Sequence, residues 1–212
     1  MESSLGSGND TNSIVLKQSF KWFGEAIDVG QTSKVKCSKN FYNLKQLNSF
    51  VVYQHFKMEG QHLLKHLIQK GDWMIQIDLK DAYFTVPIDP EHQPLLRFIY
   101  GGTRYQFTCL PFGLGPAPLL FTKLLKPVVA FLRRLGLRMI IYLDDIIIFN
   151  QTLEGILRDR DSTLWLLQNL GFVINWKKLV LHPARCMEYL GFLINSVEMK
   201  LLLPEEKMIQ LI

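Results

Sequence analysis

Two absences narrow the classes of protein that this sequence can encode: it has few cysteines and no long apolar run. The three cysteines, Cys37, Cys109 and Cys186, lie far apart and form no Cys-x-x-Cys pair, which indicates free thiols in a reducing compartment. Asp144 and Asp145 interrupt the longest apolar segment, and the polar N-terminal stretch lacks the apolar segment of a signal peptide. We therefore expect an intracellular protein of the cytoplasm or the nucleus, neither secreted nor associated with a membrane.

The residues that are present are those of a globular protein with a mild excess of positive charge. Of the 212 residues, 48% are hydrophobic and 12% aromatic, and the formal net charge is +5. This length is enough for one domain or two small lobes with a full core. The basic balance is compatible with a polyanionic partner without proving one.

The hydrophobic pattern predicts an order of elements that is typical of an α+β fold. Alternating residues predict a strand at 74–79, and the Gly-Gly pair at 101–102 separates two strand-like runs, as in a hairpin. Helices are predicted over 119–135 and between 153 and 170. Shorter strands are expected in "FVINWKK" and in "MEYLGFLINSVEMKLLL". The expected architecture is an antiparallel sheet with helices packed on one face.

The segment "RMIIYLDDIIIFN", residues 138–150, places two aspartates in the middle of an otherwise apolar stretch. Taken alone, Asp144 and Asp145 are typical of a hairpin turn between two strands. Asp78 stands in a similar apolar alternation, at the end of the first predicted strand. If the helix between these segments acts as a crossover that makes the strands neighbours, the three carboxylates meet at one edge of a sheet.

Three carboxylates in one place repel one another unless a cation lies among them. Mg²⁺ is a hard cation that prefers oxygen ligands, and two such ions about 4 Å apart can activate an attacking hydroxyl and stabilise a leaving oxygen in phosphoryl transfer. Strict strand geometry would point Asp144 and Asp145 to opposite faces, so the turn must rotate at least one of them inward. The pattern thus favours a turn that is also a metal-dependent site.

Five ordered motifs resemble the reverse transcriptase family. "YLDD" is similar to the Tyr-x-Asp-Asp box of that family, and "IDLKDAYF" is similar to its other aspartate-bearing strand. "LPFGLGPAP" resembles the loop and helix start between those two, while "LGFVINWKK" and "EYLGFLI" resemble later segments of the polymerase palm. The wider run from "NLKQLN" to "FTKLLKPVVAFLRR" is most similar to retrotransposons of the DIRS type, which pair this polymerase with a tyrosine recombinase.

The resemblance implies an RNA-directed DNA polymerase with a right-hand palm, partial fingers and no thumb. Such an enzyme adds deoxynucleotides to a primer 3′ end on an RNA or DNA template and releases pyrophosphate. The implied parts are a disordered N-terminus at 1–13, partial fingers at 14–73, a palm at 74–203 and a truncated start of a thumb or connection at 204–212. The thumb, RNase H and recombinase regions of a parent polyprotein are expected to be missing from this chain.

The resemblance also assigns the metal ligands. Asp78 and Asp144 would be the main ligands of two Mg²⁺ ions, with Mn²⁺ as a substitute. The main-chain carbonyl of Leu79 would be a further ligand, and Asp145 would be the third carboxylate of the site. These residues would bring the primer 3′-hydroxyl into line with the α-phosphate of the incoming nucleotide.

Several residues match the positions of the family that contact the deoxynucleoside triphosphate. Tyr83, five residues after Asp78, matches an aromatic steric gate that leaves no room for a 2′-hydroxyl; a core tyrosine in a strand is the alternative. Main-chain amides near Asp81 and Ala82 would cradle the triphosphate. Phe112 and Gly113 match the loop beside the sugar and the templating base.

Other residues match positions at the primer strand and the leaving group. Tyr142 belongs to the Tyr-x-Asp-Asp box, and Leu190 and Gly191 match the turn that grips the primer. Lys178, with Lys177 as the alternative, matches a lysine proposed to protonate the pyrophosphate. A solvated pair of lysines in a loop is the competing interpretation.

The chain departs from the family pattern at two places, one in the partial fingers and one after the "PFGL" box. Lys39 and Asn40 stand where the family has Arg-Pro, so Lys39 would contact the triphosphate without the bidentate geometry of arginine. Gly115 and Pro116 follow the "PFGL" box in place of small or polar residues. These changes and the missing thumb keep open a second hypothesis, an inactive nucleic-acid-binding remnant. A third, an RNA-recognition module, would require exposed aromatic residues on the central strands.

Overall fold

The computed structural model describes residues 14–15, 25–28, 34–36, 44–52, 54–100 and 102–204. The expected disordered segment 1–13, the candidate Lys39 and all but the first residue of the expected thumb start at 204–212 lie outside these ranges. The chain forms two compact units, the first from Met1–Val51 with Tyr83–Ala117 and the second from Val52–Ala82 with Pro118–Ile212. Among the described helices, none combines the length and the apolarity needed to cross a membrane.

Runs of short strands are separated by one or two helices, as expected for an α+β fold. The strands are β1 Ile14–Val15, β2 Glu25–Asp28, β3 Lys34–Lys36, β4 Trp73–Asp78, β5 Arg97–Tyr100, β6 Thr103–Gln106, β7 Arg138–Tyr142, β8 Asp145–Asn150, β9 Val180–Ala184, β10 Cys186–Tyr189, β11 Phe192–Asn195 and β12 Lys200–Leu202. The α-helices are α1 Lys45–Phe50, α2 Gln61–Leu67, α3 Ala117–Arg134 and α4 Leu153–Asn169, with 3₁₀ turns at Ala82–Thr85 and Gln93–Leu96.

A four-stranded antiparallel sheet with the order β7-β8-β4-β9 forms the centre of the second unit. Its strands β4 and β8 are internal: Ile75 pairs with Ile148 and Ile77 with Ile146, and all four side chains are buried on one face of the sheet. The other face of β8 is also apolar and buried, so β8 reads as a continuous apolar run. Strand β4 pairs with β8 along its whole length and with β9 at two positions.

Both faces of this sheet are covered. Met74 and Phe149 share a core cluster with Leu64 of α2 and with Met187 and Ile194 of the second, three-stranded sheet β10-β11-β12. Helix α4 packs against β4 and β8. The antiparallel α+β architecture expected from the sequence is confirmed, with a small sheet added to the layer that covers one face.

The first unit contains the hairpin β5-β6, in which Tyr100 pairs with Thr103, and the sheet β1-β2-β3. The hairpin confirms the expectation from the Gly-Gly pair. The side chain of Asn48, on α1, accepts a hydrogen bond from the Gly115 amide (2.8 Å) and donates one to the Gly113 carbonyl (2.8 Å). One amide side chain thus fixes the loop of the "PFGLGPAP" motif from both sides.

Two sequence expectations about the strands need correction. The segment "FVINWKK" is not a strand: Ile174 forms an isolated bridge with Leu79, and the residues that follow turn away. The partner of β4 on that side is instead β9, which the sequence analysis missed because Pro183 and the polar His182 break the apolar pattern. Proline is tolerated there because β9 lies at the edge of its sheet.

Candidate active site

The two adjacent aspartates lie at the tip of the hairpin between β7 and β8. Tyr142 pairs with Asp145, so Leu143 and Asp144 form a two-residue turn. Leu143 has a φ of 55°, and Asp144 does not share this positive φ, which is the pattern of a type II′ turn with glycine favoured at the first position. A leucine there costs on the order of 1 kcal/mol. The turn therefore holds Asp144 at the rim of the sheet at a cost in stability.

Asp78 lies directly opposite Asp145, because β4 and β8 pair in register up to their ends. The Leu79 amide donates to the main-chain carbonyl of Asp144 at 2.8 Å, so the backbone contact continues one step past the ladder. Cα atoms of directly opposed residues in an antiparallel pair are about 4.5–5.5 Å apart. The fold thus brings together three acids that are distant in sequence, at one end of the central strands.

Asp78 is buried, with 4% of its surface exposed, and has two polar partners on the segment after α4. Asn175 donates through Nδ2 to Oδ1 at 2.6 Å, and Lys178 Nζ lies 3.5 Å from Oδ2. The lysine side chain is 66% exposed, so solvent weakens its attraction to the carboxylate. Of the two candidate lysines, Lys178 is the one for which the structure gives a contact with Asp78.

Asp145 is held by one side chain of its own sheet and one of the second sheet. Gln76 Nε2 donates to Oδ1 at 3.3 Å, and the Tyr189 hydroxyl donates to the Asp145 main-chain carbonyl at 3.2 Å. Burial raises the pKa of the Asp145 carboxyl, and repulsion by Asp144 and Asp78 raises it further, against the opposing effects of Gln76 and a nearby lysine. The pKa of Tyr189 is also raised, mainly by burial, so its hydroxyl stays a donor.

The donor chemistry of the three acids fits a divalent cation, whereas their side chains are not gathered into a finished site. Carboxylate and carbonyl oxygens are the ligands of Mg²⁺ and Mn²⁺, and the mutual repulsion that raises the pKa of Asp145 is relieved by positive charge. Within the described ranges, however, no three His, Cys, Asp or Glu side chains are arranged so that they could hold a metal ion. The metal site thus remains a prediction.

The other candidates of the second unit lie close to the acids in sequence or line a cleft. Asp81 has a φ of 52° and Ala82 is buried, so the chain turns sharply just after β4. Tyr142 and Leu190 line an open cleft of about 490 Å³, together with Gly60 and His62. This cleft extends from the acidic hairpin to the turn between β10 and β11.

The turn between β10 and β11 has the geometry of a tight hairpin loop. Leu190 and Gly191 have φ values of 47° and 77° and join the paired residues Tyr189 and Phe192, which is the pattern of a type I′ turn. Because Tyr189 also reaches the carbonyl of Asp145, this hairpin is connected directly to the acidic turn.

Three of the candidates that the structure describes, Tyr83, Phe112 and Gly113, belong to the first unit. The rings of Tyr83 and Phe112 lie 5.1 Å apart between centroids at 54°, and Phe84 meets Phe112 edge-on at 5.2 Å. Gly113 has a φ of 87°, a conformation that suits glycine. Their roles toward a nucleotide stay predictions.

Sequence reasoning did not find Asn175, Gln76 or Tyr189. Each contacts one of the acids through a single hydrogen-bonding group, and a lone amide or phenol in an otherwise ordinary segment carries no pattern of its own. The contact between Asn175 and Asp78 can be recognised only from the structure, in which "FVIN" lies along the end of β4.

Replacing Asp145 with asparagine is expected to raise the stability of the protein. The pKa of Asp145 is raised in the folded state, so its contribution to stability is fully present below the unfolded pKa of about 3.9 and is lost as the pH rises through the folded value. Asparagine keeps the shape without the repulsion. Because Asp145 is only half-buried, solvent screens part of the repulsion, and at pH 7 we expect a small rise in melting temperature, about 1–2 °C above the wild type. The difference should vanish in thermal scans at about pH 3; a lower melting temperature at pH 7 would contradict the prediction.

Comparison with known proteins agrees with this arrangement. Residues 32–194 match the family described as reverse transcriptase (RNA-dependent DNA polymerase). The chain is 26% identical over 173 residues to the genome polyprotein of Petunia vein clearing virus, covering 81% of this chain and 8% of that protein. It is 32% identical over 146 residues to the Gag-Pol polyprotein of Walleye dermal sarcoma virus, covering 68% and 8%.

A solved structure with the same fold is that of the foamy viral protease-reverse transcriptase in complex with double-stranded DNA. The TM-score is 0.69 at 25% identity, over 79% of this chain and 29% of that one. The chain spans about 8% of the length of each of the two viral polyproteins named above. With a family match over residues 32–194 and three acids at the end of paired strands, this chain belongs to the reverse transcriptase family.

Proposed function

We propose that this chain is the palm, with part of the fingers, of an RNA-directed DNA polymerase from a DIRS-like retrotransposon. It would add deoxynucleotides to a primer 3′ end on an RNA or DNA template and release pyrophosphate. The observation that carries the proposal is the register that sets Asp78 opposite Asp145, with Asp144 in the adjoining turn. Membership of the reverse transcriptase family supports the reaction class.

The acids would hold two Mg²⁺ ions through Asp78, Asp144, Asp145 and the main-chain carbonyl of Leu79. When bound, the ions would lower the pKa of the attacking hydroxyl and neutralise charge on the phosphate. The protein would supply the fixed positions of these ligands. Two of the acids belong to internal strands and the third to a two-residue turn, so their backbone positions are fixed and only the side chains would have to turn toward the ions.

Selection and placement of the nucleotide would come from several residues, each in the role assigned by resemblance. The Tyr83 ring, braced by its contact with Phe112, would exclude a 2′-hydroxyl, and Gly113 would allow close approach of the base. Main-chain amides near Asp81 and Ala82, and the side chain of Lys39, would contact the triphosphate.

The primer would contact Tyr142, Leu190 and Gly191, two of which line the cleft beside the acidic hairpin. The double-stranded DNA named in the structure of the foamy viral enzyme supports this class of partner. Lys178 would donate a proton to the pyrophosphate; its contact with Asp78 places its ammonium group beside the acids.

The DIRS assignment rests on the wider run of sequence between "NLKQLN" and "FTKLLKPVVAFLRR". It is tested by reading the genomic DNA that flanks the coding region: a reading frame for a tyrosine recombinase beside thumb and RNase H segments supports it. Flanking sequence for an integrase of another class overturns it. Either way the chain would act inside the cell, in the cytoplasm or the nucleus.

The reaction is tested by primer extension on an RNA template, comparing the chain with its Asp144→Asn variant. We expect incorporation of deoxynucleotides that depends on Mg²⁺, stops on chelation and is abolished in the variant. The alternative is a non-catalytic remnant of a reverse transcriptase. Binding of the primer-template without incorporation by either protein would establish that alternative and overturn the proposed reaction.

A further inference from the structure

The side chain and main chain of Asn175 both contact Asp78. Its Nδ2 donates to Asp78 Oδ1 at 2.6 Å, and its main-chain amide donates to the Asp78 carbonyl at 2.9 Å. The two contacts fix the carboxylate relative to its own backbone. The second oxygen, Oδ2, then lies on the side of Lys178.

The segment that carries Asn175 is itself fixed against the end of β4. Ile174 forms a bridge with Leu79, and the Lys80 amide donates to the Val173 carbonyl at 2.8 Å. The Lys178 amide donates to the Asn175 carbonyl at 3.0 Å, which closes a turn directly after the asparagine. Backbone contacts on both sides therefore hold the amide in place, and its position does not depend on the Asp78 carboxylate alone.

A neutral donor suits a carboxylate that must keep its charge. Asp78 is 4% exposed, and a buried carboxylate is costly unless hydrogen bonds or cations compensate it. An arginine in place of Asn175 would compensate it by cancelling the charge. The amide compensates the burial through a hydrogen bond without adding a charge of its own, so it does not compete with a divalent cation for the carboxylate.

We propose that Asn175 is a positioning residue for Asp78: it orients the carboxylate so that a divalent cation can bind to it. The inference rests on the proposed function, since it concerns the same acids. It adds a residue to which the resemblance assigns no role, on a segment that forms no strand.

The test compares four versions of the full chain by their affinity for Mn²⁺, measured from the electron paramagnetic resonance signal of the free ion. Asn175→Ala removes the donor, and Asn175→Asp keeps the shape but puts a carboxylate against Asp78. Asn169→Ala is the matched control, because that exposed asparagine donates to the Trp165 carbonyl in α4. Groups that orient metal ligands typically change metal affinity by about 10–100-fold when removed.

We expect Asn175→Ala to bind Mn²⁺ about 10–100-fold more weakly than the wild type. Asn175→Asp also loses the donor but adds a negative charge that attracts the cation, so its affinity should lie between those of the Ala variant and the wild type. In primer extension, kcat of the Asn175 variants should be lower than that of the wild type and should recover when more Mg²⁺ is added. KM for the deoxynucleotide should change less than about twofold. Urea unfolding without metal identifies any variant that is not folded. Asn175→Ser, which keeps a donor, then takes the place of that variant. Its affinity for Mn²⁺ should lie between those of the wild type and the Ala variant.

Wild-type Mn²⁺ affinity in the Asn175→Ala and Asn175→Asp proteins would overturn the inference. Failure of the proposed function is a separate result: a wild-type chain that binds Mn²⁺ but incorporates no nucleotide is not a polymerase, and the affinities still decide the role of Asn175. A wild-type chain that binds no Mn²⁺ overturns the inference.

Discussion

Replacing Asp78 with asparagine is expected to lower nucleotide incorporation by about 10³-fold or more, equivalent to ~4 kcal/mol of transition-state stabilisation. The substitution keeps the side-chain volume and removes the charge of the buried acid at the end of β4. Its partner Asn175 would then face another amide, which can accept its hydrogen bond but attracts no cation. Single-turnover primer extension at saturating deoxynucleotide measures the effect.

Asp161→Asn is the matched control for this experiment. Asp161 is exposed on α4 and pairs with Arg160 at the surface, so its replacement should leave the rate within about twofold. An Asp78→Asn protein that retains wild-type incorporation would remove Asp78 from the proposed reaction.

Replacing Asp72 with asparagine is expected to lower the free energy of unfolding by about 3–5 kcal/mol. Asp72 is fully buried and forms a bidentate ion pair with Arg138, with both N–O distances at 2.7 Å. It also accepts hydrogen bonds from the Gln69 amide and from Gln151 Nε2. Removing the charge leaves a guanidinium group with 23% of its side chain exposed and no counter-ion. Urea denaturation at pH 7 measures the loss.

The size of this effect depends on burial, which a comparison can isolate. The pair of Arg160 and Asp161 has the same N–O distance of 2.7 Å, but its aspartate is exposed, so Asp161→Asn should cost about 1 kcal/mol at most. A double variant with Asp72→Asn and Arg138→Met should lose less than the sum of its single variants, because no unpaired charge remains. Equal losses for Asp72→Asn and Asp161→Asn would contradict the burial explanation.

Local pattern predicted the elements that surround the acids. Apolar alternation gave β4 up to Asp78, and the paired aspartates gave the turn between β7 and β8. Periodicity also gave α3 and α4, within two residues at each end. These features depend on neighbours in the sequence, which is why one sequence is enough to find them.

The remaining features depend on partners that are far apart in the chain. Asp72 is joined to Arg138 and receives the Ser196 hydroxyl on its carbonyl at 2.6 Å, and nothing near Asp72 in the sequence marks it as the buried partner of either. The strands of 14–36 are short and lie in a region without a clear pattern. The same holds for Asn175, whose role follows only from where "FVIN" lies along β4.

The paired register of β4 has a consequence for how the acids can adapt to ions of different radius. Asp78 is anchored by its pairing with Asp145 on β8 and by the hydrogen bond from the Asn175 amide to its carbonyl, and a shift of its Cα would disturb both. Asp144 sits in a loop of two residues, tied to Leu79 by its carbonyl. The position of Asp78 is therefore fixed, whereas Asp144 can shift with its turn. Tolerance for manganese in place of magnesium should then be tuned by substitutions at Leu143 rather than by substitutions along β4.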